Sequence, residues 1–265
     1  MEKRDKKGIK QFKYSNPRQK KPLPANAIFG TRAVLEAIKA GKEIDKLFIQ
    51  RGIKNELTDE LMETVREQNI ACTKVPVEKL NRITRKNHQG VIAFLSAVQF
   101  RSLDHIISES YAQGKDPFLL VLDRVTDVRN FGAIARSAEC AGVQALIVPA
   151  KGAAALNSDA VKTSAGALHH IAVCRENNLK HTVEYLQKSG VQVIAATEKT
   201  DQLLYDIDLK GPLAIVMGSE EDGVSPEILQ IVDHKGKIPM TGNISSLNVS
   251  VAAGIYLFEA LRQRV

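Results

Sequence analysis

Four short runs constrain this chain more than any other feature. Phe118–Leu122 (FLLVL), Ala145–Val148 (ALIV), Gln192–Ala196 (QVIAA) and Leu213–Met217 (LAIVM) are apolar at nearly every position. A strand with one face in water alternates apolar and polar residues, so strands that fail to alternate are covered on both faces. Helical patterns lie between and after them: Ala133–Ala141, a small-residue stretch near Ser158–Gly166, Asn178–Ser189 and a closing helix Val249–Gln263. This alternation predicts an α/β fold, a mostly parallel sheet with helices on both faces. Ligands of such sheets sit beyond the carboxyl ends of the strands, so the loops there are the places to look for chemistry.

The chain ahead of this sheet reads as a second, smaller α/β unit. Its pattern is a helix over Thr31–Ala40, a strand at Lys46–Gln50, a helix over Leu57–Gln68, a strand at Cys72–Val75, a helix near Val77–Thr84 and a strand at Val91–Ser96. Arg101–Asp116, with Ser, Gly and a helical fragment at Leu103–Tyr111, suits a connector. The expected organisation is a basic arm over 1–25, a first domain over 26–100, a linker over 101–116 and a second domain over 117–265, each domain large enough for its own core.

The formal net charge of +7 is concentrated in the arm, where nine Lys/Arg face only Glu2 and Asp5. Residues 26–100 carry +3 and residues 101–265 carry −3. A short, hydrophobe-poor, Pro-containing arm cannot bury enough surface to fold alone, so it is expected to be disordered and available to phosphates. No apolar run approaches the ~18 residues of a membrane span, and the basic start has no apolar leader pattern, which predicts a cytoplasmic protein without a membrane partner. Cys72, Cys140 and Cys174 form no C-x-x-C pair. They are expected as buried apolar thiols, with neither a disulfide framework nor a metal site.

Three loops carry the polar chemistry: Asp123–Gly142 (DRVTDVRNFGAIARSAECAG), Gly218–Pro226 (GSEEDGVSP) and Ile238–Gly254 (IPMTGNISSLNVSVAAG). Neither glycine loop has the Lys-Ser/Thr of a P-loop or the G-x-G-x-x-G of a dinucleotide site. In the first, Asn130 is expected just before a helix, and Arg136 lies about two turns along amid small apolar residues. An arginine there needs an anion or water, and Glu139 at i+3 is the local candidate. In the second, Glu220 could cap a helix dipole. In the third, Ser245, Ser246 and Asn248 are capping residue types at the mouth of the closing helix. His169 and His170 fit satisfied structural histidines better than metal ligands.

Taken together, these motifs resemble the SpoU (TrmH) family of RNA 2′-O-ribose methyltransferases over about residues 27–265. Leu122–Val143 is similar to the family's first motif, with Asn130 and the catalytic Arg136. Ile215–Val224 is similar to the second, with Glu220, and Ile238–Gly254 to the third, with Ser246 and Asn248. Ile28–Ile38 and His88–Ala93 resemble the family's ribosomal-protein-like substrate-binding domain, which points to the two-domain subgroup. Val128 stands where many members have Pro, and Glu221-Asp222 add unusual acidity.

The resemblance implies a deep C-terminal trefoil knot, a fold feature that strand and helix patterns would not suggest. It also implies S-adenosyl-L-methionine held by Thr197, Gly218, Ile238, Met240 and Leu247, no metal, and a homodimer through the knotted domain with sites shared between subunits. The implied substrate is structured RNA, with a 23S ribosomal RNA guanosine ahead of a transfer RNA, and a non-catalytic RNA-binding protein as the rival class. The family assigns proton removal from the 2′-hydroxyl to the first-motif arginine. A guanidinium stays protonated in proteins, so Arg136 is expected instead to grip the target's phosphate and stabilise the developing alkoxide. Asn130 and Asn248 would orient ribose and Arg136, Glu220 would hold Arg136 or the active loop, and Ser246 would position cofactor or hydroxyl.

Overall fold

Burial settles where the chain pairs. The computed structural model describes residues 23–24, 26–68, 70–244 and 246–265; Ser245 and all but Leu23 and Pro24 of the expected arm lie outside them. The first sheet contains β1 (Ala27–Phe29), β2 (Ile44–Gln50), β3 (Cys72–Val75) and β4 (Val91–Leu95), in the order β1-β4-β2-β3. On one face, α1 (Thr31–Lys39) and α2 (Glu56–Glu67) bury Val34, Leu35, Ile38, Leu61 and Val65 against Leu47, Ile49, Val91 and Ala93. On the other, the seven-residue α3 (Val77–Ile83) covers only Val75, Leu80 and Ile92 fully and leaves Phe29, Phe48 and Phe94 half-buried.

After α4 (Leu103–Ala112) the second sheet contains β5 (Phe118–Leu122), β6 (Ala145–Pro149), β7 (Ala172–Glu176), β8 (Gln192–Ala196), β9 (Leu213–Met217) and β10 (His234–Gly236). Their order is β10-β8-β9-β5-β6-β7 and every pairing is parallel. The non-alternating runs are the central strands, and successive residues feed opposite cores. Leu120 and Leu122 pack beneath α5 (Val128–Cys140), α6 (Ser158–Thr163) and α9 (Val249–Arg264), whereas Leu119 and Val121 pack beneath α4, α7 (Leu179–Lys188) and α8 (Pro226–Leu229). The segment expected as a connector thus contributes Leu103, Ile106 and Ile107 to a core layer.

Two expectations fail here. Of the three cysteines only Cys174 is buried, with burial pushing its thiol up to about 12; Cys72 is half-buried and Cys140, in the last turn of α5, is exposed. The first-motif helix starts at Val128 rather than Ala133, because the Asp127 side chain accepts from the backbone N–H of Arg129 (2.8 Å) and Asn130 (2.9 Å). Asn130 therefore sits inside the first turn.

The two sheets are joined by a guanidinium that is mostly, though not fully, enclosed. Arg175 on β7 donates to the Ile44 carbonyl at 2.7 Å and to the Asp45 carboxylate at 3.2 Å, and stacks 3.6 Å from the centroid of Phe100. Burial nevertheless raises the Asp45 pKa and lowers that of Arg175, so desolvation outweighs their attraction in both groups. Removing one partner of such a pair strands a charge, at about 3–5 kcal/mol. Arg175→Ala is expected to lower stability in urea unfolding by about 3 kcal/mol, and adding Asp45→Ala to restore part of it. An equal loss in the single and double variants would show that the ion pair is not what matters.

Candidate functional site: the carboxyl edge of the parallel sheet

All six parallel strands end on one edge, and the three polar motifs emerge from it. The loop after β5 meets the loop after β9 through Arg124. This residue adopts φ +60°, a conformation that side chains other than glycine rarely hold. Its guanidinium donates to Asp222 Oδ2 (3.0 Å), the Gly223 carbonyl (3.1 Å) and Asp123 Oδ1 (3.2 Å). Asp123, 4 % exposed, accepts from the Ser225 N–H at 2.6 Å with its other oxygen. The 219–223 turn closes through reciprocal Ser219–Gly223 backbone bonds of 3.1 Å. Sequence reasoning missed Asp123 and Arg124; their one signal is a charged pair directly after a strand buried at every position.

Asn248 draws the third motif into this frame. Its Oδ1 accepts from the Ser250 N–H (2.9 Å) and hydroxyl (2.5 Å), capping α9. The backbone donor fixes the amide's orientation and turns the NH2 outward. That group donates to Asn130 Oδ1 at 3.0 Å and Glu220 Oε1 at 2.6 Å. Three residues from three motifs, 118 and 28 positions apart, thereby share one amide. Beside them a cleft of about 270 Å³ is lined by Thr126, Asp127, Asn130, Glu220, Asp222 and Val249, among others.

The remaining expected residues fall in two places. Arg136 is exposed on α5, and neither an ion pair with Glu139 nor a hydrogen bond to Asn130 or Glu220 forms. Six residues beyond Asn130, it points from another side of the helix. Ser246 is exposed beside the Asn248 cap. Thr197, Gly218 and Ile238 follow β8, β9 and β10, three neighbouring strands, so they line one stretch of the same edge. Thr197 is buried, with Oγ1 accepting from the Lys199 N–H at 3.1 Å. Met240 and Leu247 remain 40 % and 39 % exposed. Tyr256 of α9 donates its hydroxyl to the Gly236 carbonyl, and burial holds its pKa well above the usual range. Among the described residues, no three His, Cys, Asp or Glu side chains gather as metal ligands, and no helix is long and apolar enough to cross a membrane.

A parallel α/β domain with convergent polar loops at its carboxyl edge defines the class of ligand-binding α/β domains. Residues 117–258 match the SpoU rRNA methylase family, and residues 27–101 match the substrate-binding domain of RNA 2′-O ribose methyltransferases. The Bacillus subtilis protein YacO, of the TrmH family of tRNA/rRNA methyltransferases, is 32% identical over 237 residues, 89% of this chain and 95% of its own. The SpoU methyltransferase AviRb from Streptomyces viridochromogenes, solved with its cofactor AdoMet, superposes with a TM-score of 0.56 at 26% identity over 89% of both chains. A TrmH/SpoU tRNA-modifying enzyme from A. aeolicus gives a TM-score of 0.51 at 30% identity, over 60% of this chain and 84% of its own. The chain belongs to the SpoU/TrmH family of RNA methyltransferases.

Proposed function

We propose that the protein transfers a methyl group from S-adenosyl-L-methionine to a ribose 2′-hydroxyl in structured RNA, with a 23S ribosomal RNA guanosine as the favoured target, in the cytoplasm. The observation that carries this is the Asn130–Asn248–Glu220 junction, which gathers all three motif loops at one point of the sheet edge. The half-exposed Met240 and Leu247 offer an apolar wall suited to an adenine and a thioether. With the main chain at Thr197, Gly218 and Ile238, they are the residues proposed to hold the cofactor. Once bound, the cofactor supplies an electrophilic methyl on a sulfonium, so the protein's own task is to deliver and activate a weakly acidic hydroxyl.

The cleft wall of Asp127, Glu220 and Asp222 is acidic and suits a ribose better than a phosphate. The phosphate is assigned to Arg136, whose charge also stabilises the alkoxide as the hydroxyl proton passes to that phosphate or to water. Asn130 and Asn248 orient the ribose, Glu220 fixes the Asn248 amide, and Ser246 is assigned the hydroxyl or cofactor.

Arg136 stands away from the junction within one chain, which supports a homodimer in which each site draws on both subunits. The exposed Val251 and Phe258 on α9 offer an apolar contact for it. The trefoil knot finds support in the run from β10. Lys237 exchanges backbone bonds with Gln202 and Leu204 of the loop between β8 and β9, and the chain then returns to Asn130 and Glu220.

Residues 26–100 are assigned to RNA binding, 101–116 to a linker, 117–265 to methyl transfer and 1–25 to nonspecific phosphate contact. Incorporation of tritiated methyl groups from the cofactor into ribosomal RNA, followed by nuclease digestion to the 2′-O-methylated dinucleotide, tests the activity. Base methylation, or methylation of transfer RNA alone, would overturn the substrate assignment, and absence of cofactor binding in calorimetry would favour a non-catalytic protein. Deleting residues 1–25 is expected to weaken RNA binding and flatten its dependence on salt while leaving cofactor affinity unchanged.

A further inference from the structure

The thinly covered face of the first sheet continues into the catalytic domain. Lys46 and Phe48 lie two apart on β2 and so share a face, with Phe94 paired opposite Lys46. The rings of Phe48 and Phe94 meet edge to face at 6.0 Å. The Lys79 ammonium sits 4.7 Å over the Phe48 ring, and Arg82 lies one helical turn further along α3. Two grooves open here. One, between α3 and the sheet, is lined by Phe48, Lys79, Arg82 and Phe94; the other, about 280 Å³ between the domains, by Lys46, Phe48, Lys79 and Lys151. Phe48 and Lys79 line both, so the two grooves adjoin at the Lys79–Phe48 contact.

The charge of this joint groove is lopsided. Among the lining residues the carboxylates are Glu78 and Asp45, and Asp45 is already bound to Arg175. Its far end is also placed for the chemistry. Lys151 follows β6, the strand beside β5, so it lies about 5 Å per strand along the edge that carries the first motif. The loop after β6 is tied to the first-motif loop by the Ala154 N–H, which donates to the Val125 carbonyl at 2.9 Å.

Resting on the reading of this chain as an RNA methyltransferase, we propose that this groove holds a single-stranded segment of the substrate RNA. A base stacks on Phe48 beside Phe94, and the phosphates lie along Arg82, Lys79, Lys46 and Lys151 towards the first-motif loop. An aromatic face flanked by cations is the means by which proteins grip unpaired nucleotides, because every base has a π-face and every linkage a charge. The incoming base takes the place of the Lys79 ammonium over the ring, and that ammonium turns to the adjacent phosphate. A duplex would keep its bases stacked inside and leave Phe48 without a role.

The test uses the full chain, a fluorescein-labelled twelve-nucleotide oligouridylate and a blunt RNA duplex of the same length. The Lys46→Ala, Lys79→Ala, Arg82→Ala triple variant is expected to reduce the salt slope of oligouridylate binding by about 2, at ~0.7 for each phosphate left without its cation. Phe48→Leu keeps apolar bulk against α3 while removing the ring, and is expected to weaken binding about tenfold. Cofactor affinity should be unchanged in both variants, which separates a lost groove from a misfolded protein. An unchanged slope, unchanged affinity in Phe48→Leu, or a duplex bound as tightly as the single strand overturns the proposal. Methyl transfer by the unaltered protein to ribosomal RNA is measured alongside. If it proceeds while the variants bind normally, the groove is wrong and the enzyme reading stands; if it fails, that reading fails by itself.

Discussion

Arg136→Ala is expected to lower methyl transfer to RNA by about 10²–10³-fold, the usual effect of removing one preorganised donor from a site of developing negative charge, while leaving melting temperature and cofactor affinity unchanged. The side chain is exposed and has no ion-pair partner among the described residues, so truncation strands nothing and empties no core. This sets Arg136 apart from Arg124 and Arg175, whose guanidiniums are spent on loop and domain structure. Arg136→Lys discriminates further. It keeps the charge and loses the planar fork that meets a phosphate with two parallel hydrogen bonds. Full turnover in the lysine variant would sink the bidentate role and leave a simple point charge. A rate that falls for Arg136→Ala together with stability would mean that the residue is structural.

How far the fold can be read from sequence depends on what each element buries. The runs FLLVL, ALIV and LAIVM announce central strands because all their residues are enclosed. Two strands of the same sheet are invisible for the opposite reason. β7 lies at an edge and ends in Arg175 and Glu176, while β10 is three residues, HKG, with only the glycine buried. Their strand character comes from the neighbours that pair with them. The start of α5 is hidden because Gly132 breaks the helical pattern locally. Its place in the helix is explained only by Thr163, whose Oγ1 would lie 2.1 Å from a Cβ added there. Within the site, spacing can nominate Asn130, Glu220 and Asn248 singly, and only their resemblance to three ordered motifs groups them. That one amide joins all three, and that Arg124 locks the turn bearing Glu220, are facts of tertiary packing.

Gly218 offers the other large effect, through the backbone. A Cβ at this position would lie 1.9 Å from the Gly223 carbonyl carbon and 2.1 Å from the Val224 nitrogen. Both obstacles are main chain, so the conflict cannot be relieved by a rotamer change, and the 219–223 turn must open. Opening it pulls Gly223 and Asp222 from Arg124, withdraws Glu220 from Asn248, and strains the segment carrying Val224, 2 % exposed beneath the sheet. Gly218→Ala is therefore expected to cost about 3 kcal/mol, the upper range for overpacking, and to lower the melting temperature by about 10 °C. Cofactor affinity should fall at least tenfold, since the proposed cofactor wall begins at this residue. Gly242→Ala is the matched control: an added Cβ there meets nothing within 4 Å, so stability should hold. Calorimetry with the cofactor and a thermal melt on both variants decide the matter. A Gly218→Ala protein that melts and binds as the unaltered chain does would show that the turn yields freely, and that the Arg124 clamp does not set the position of Glu220.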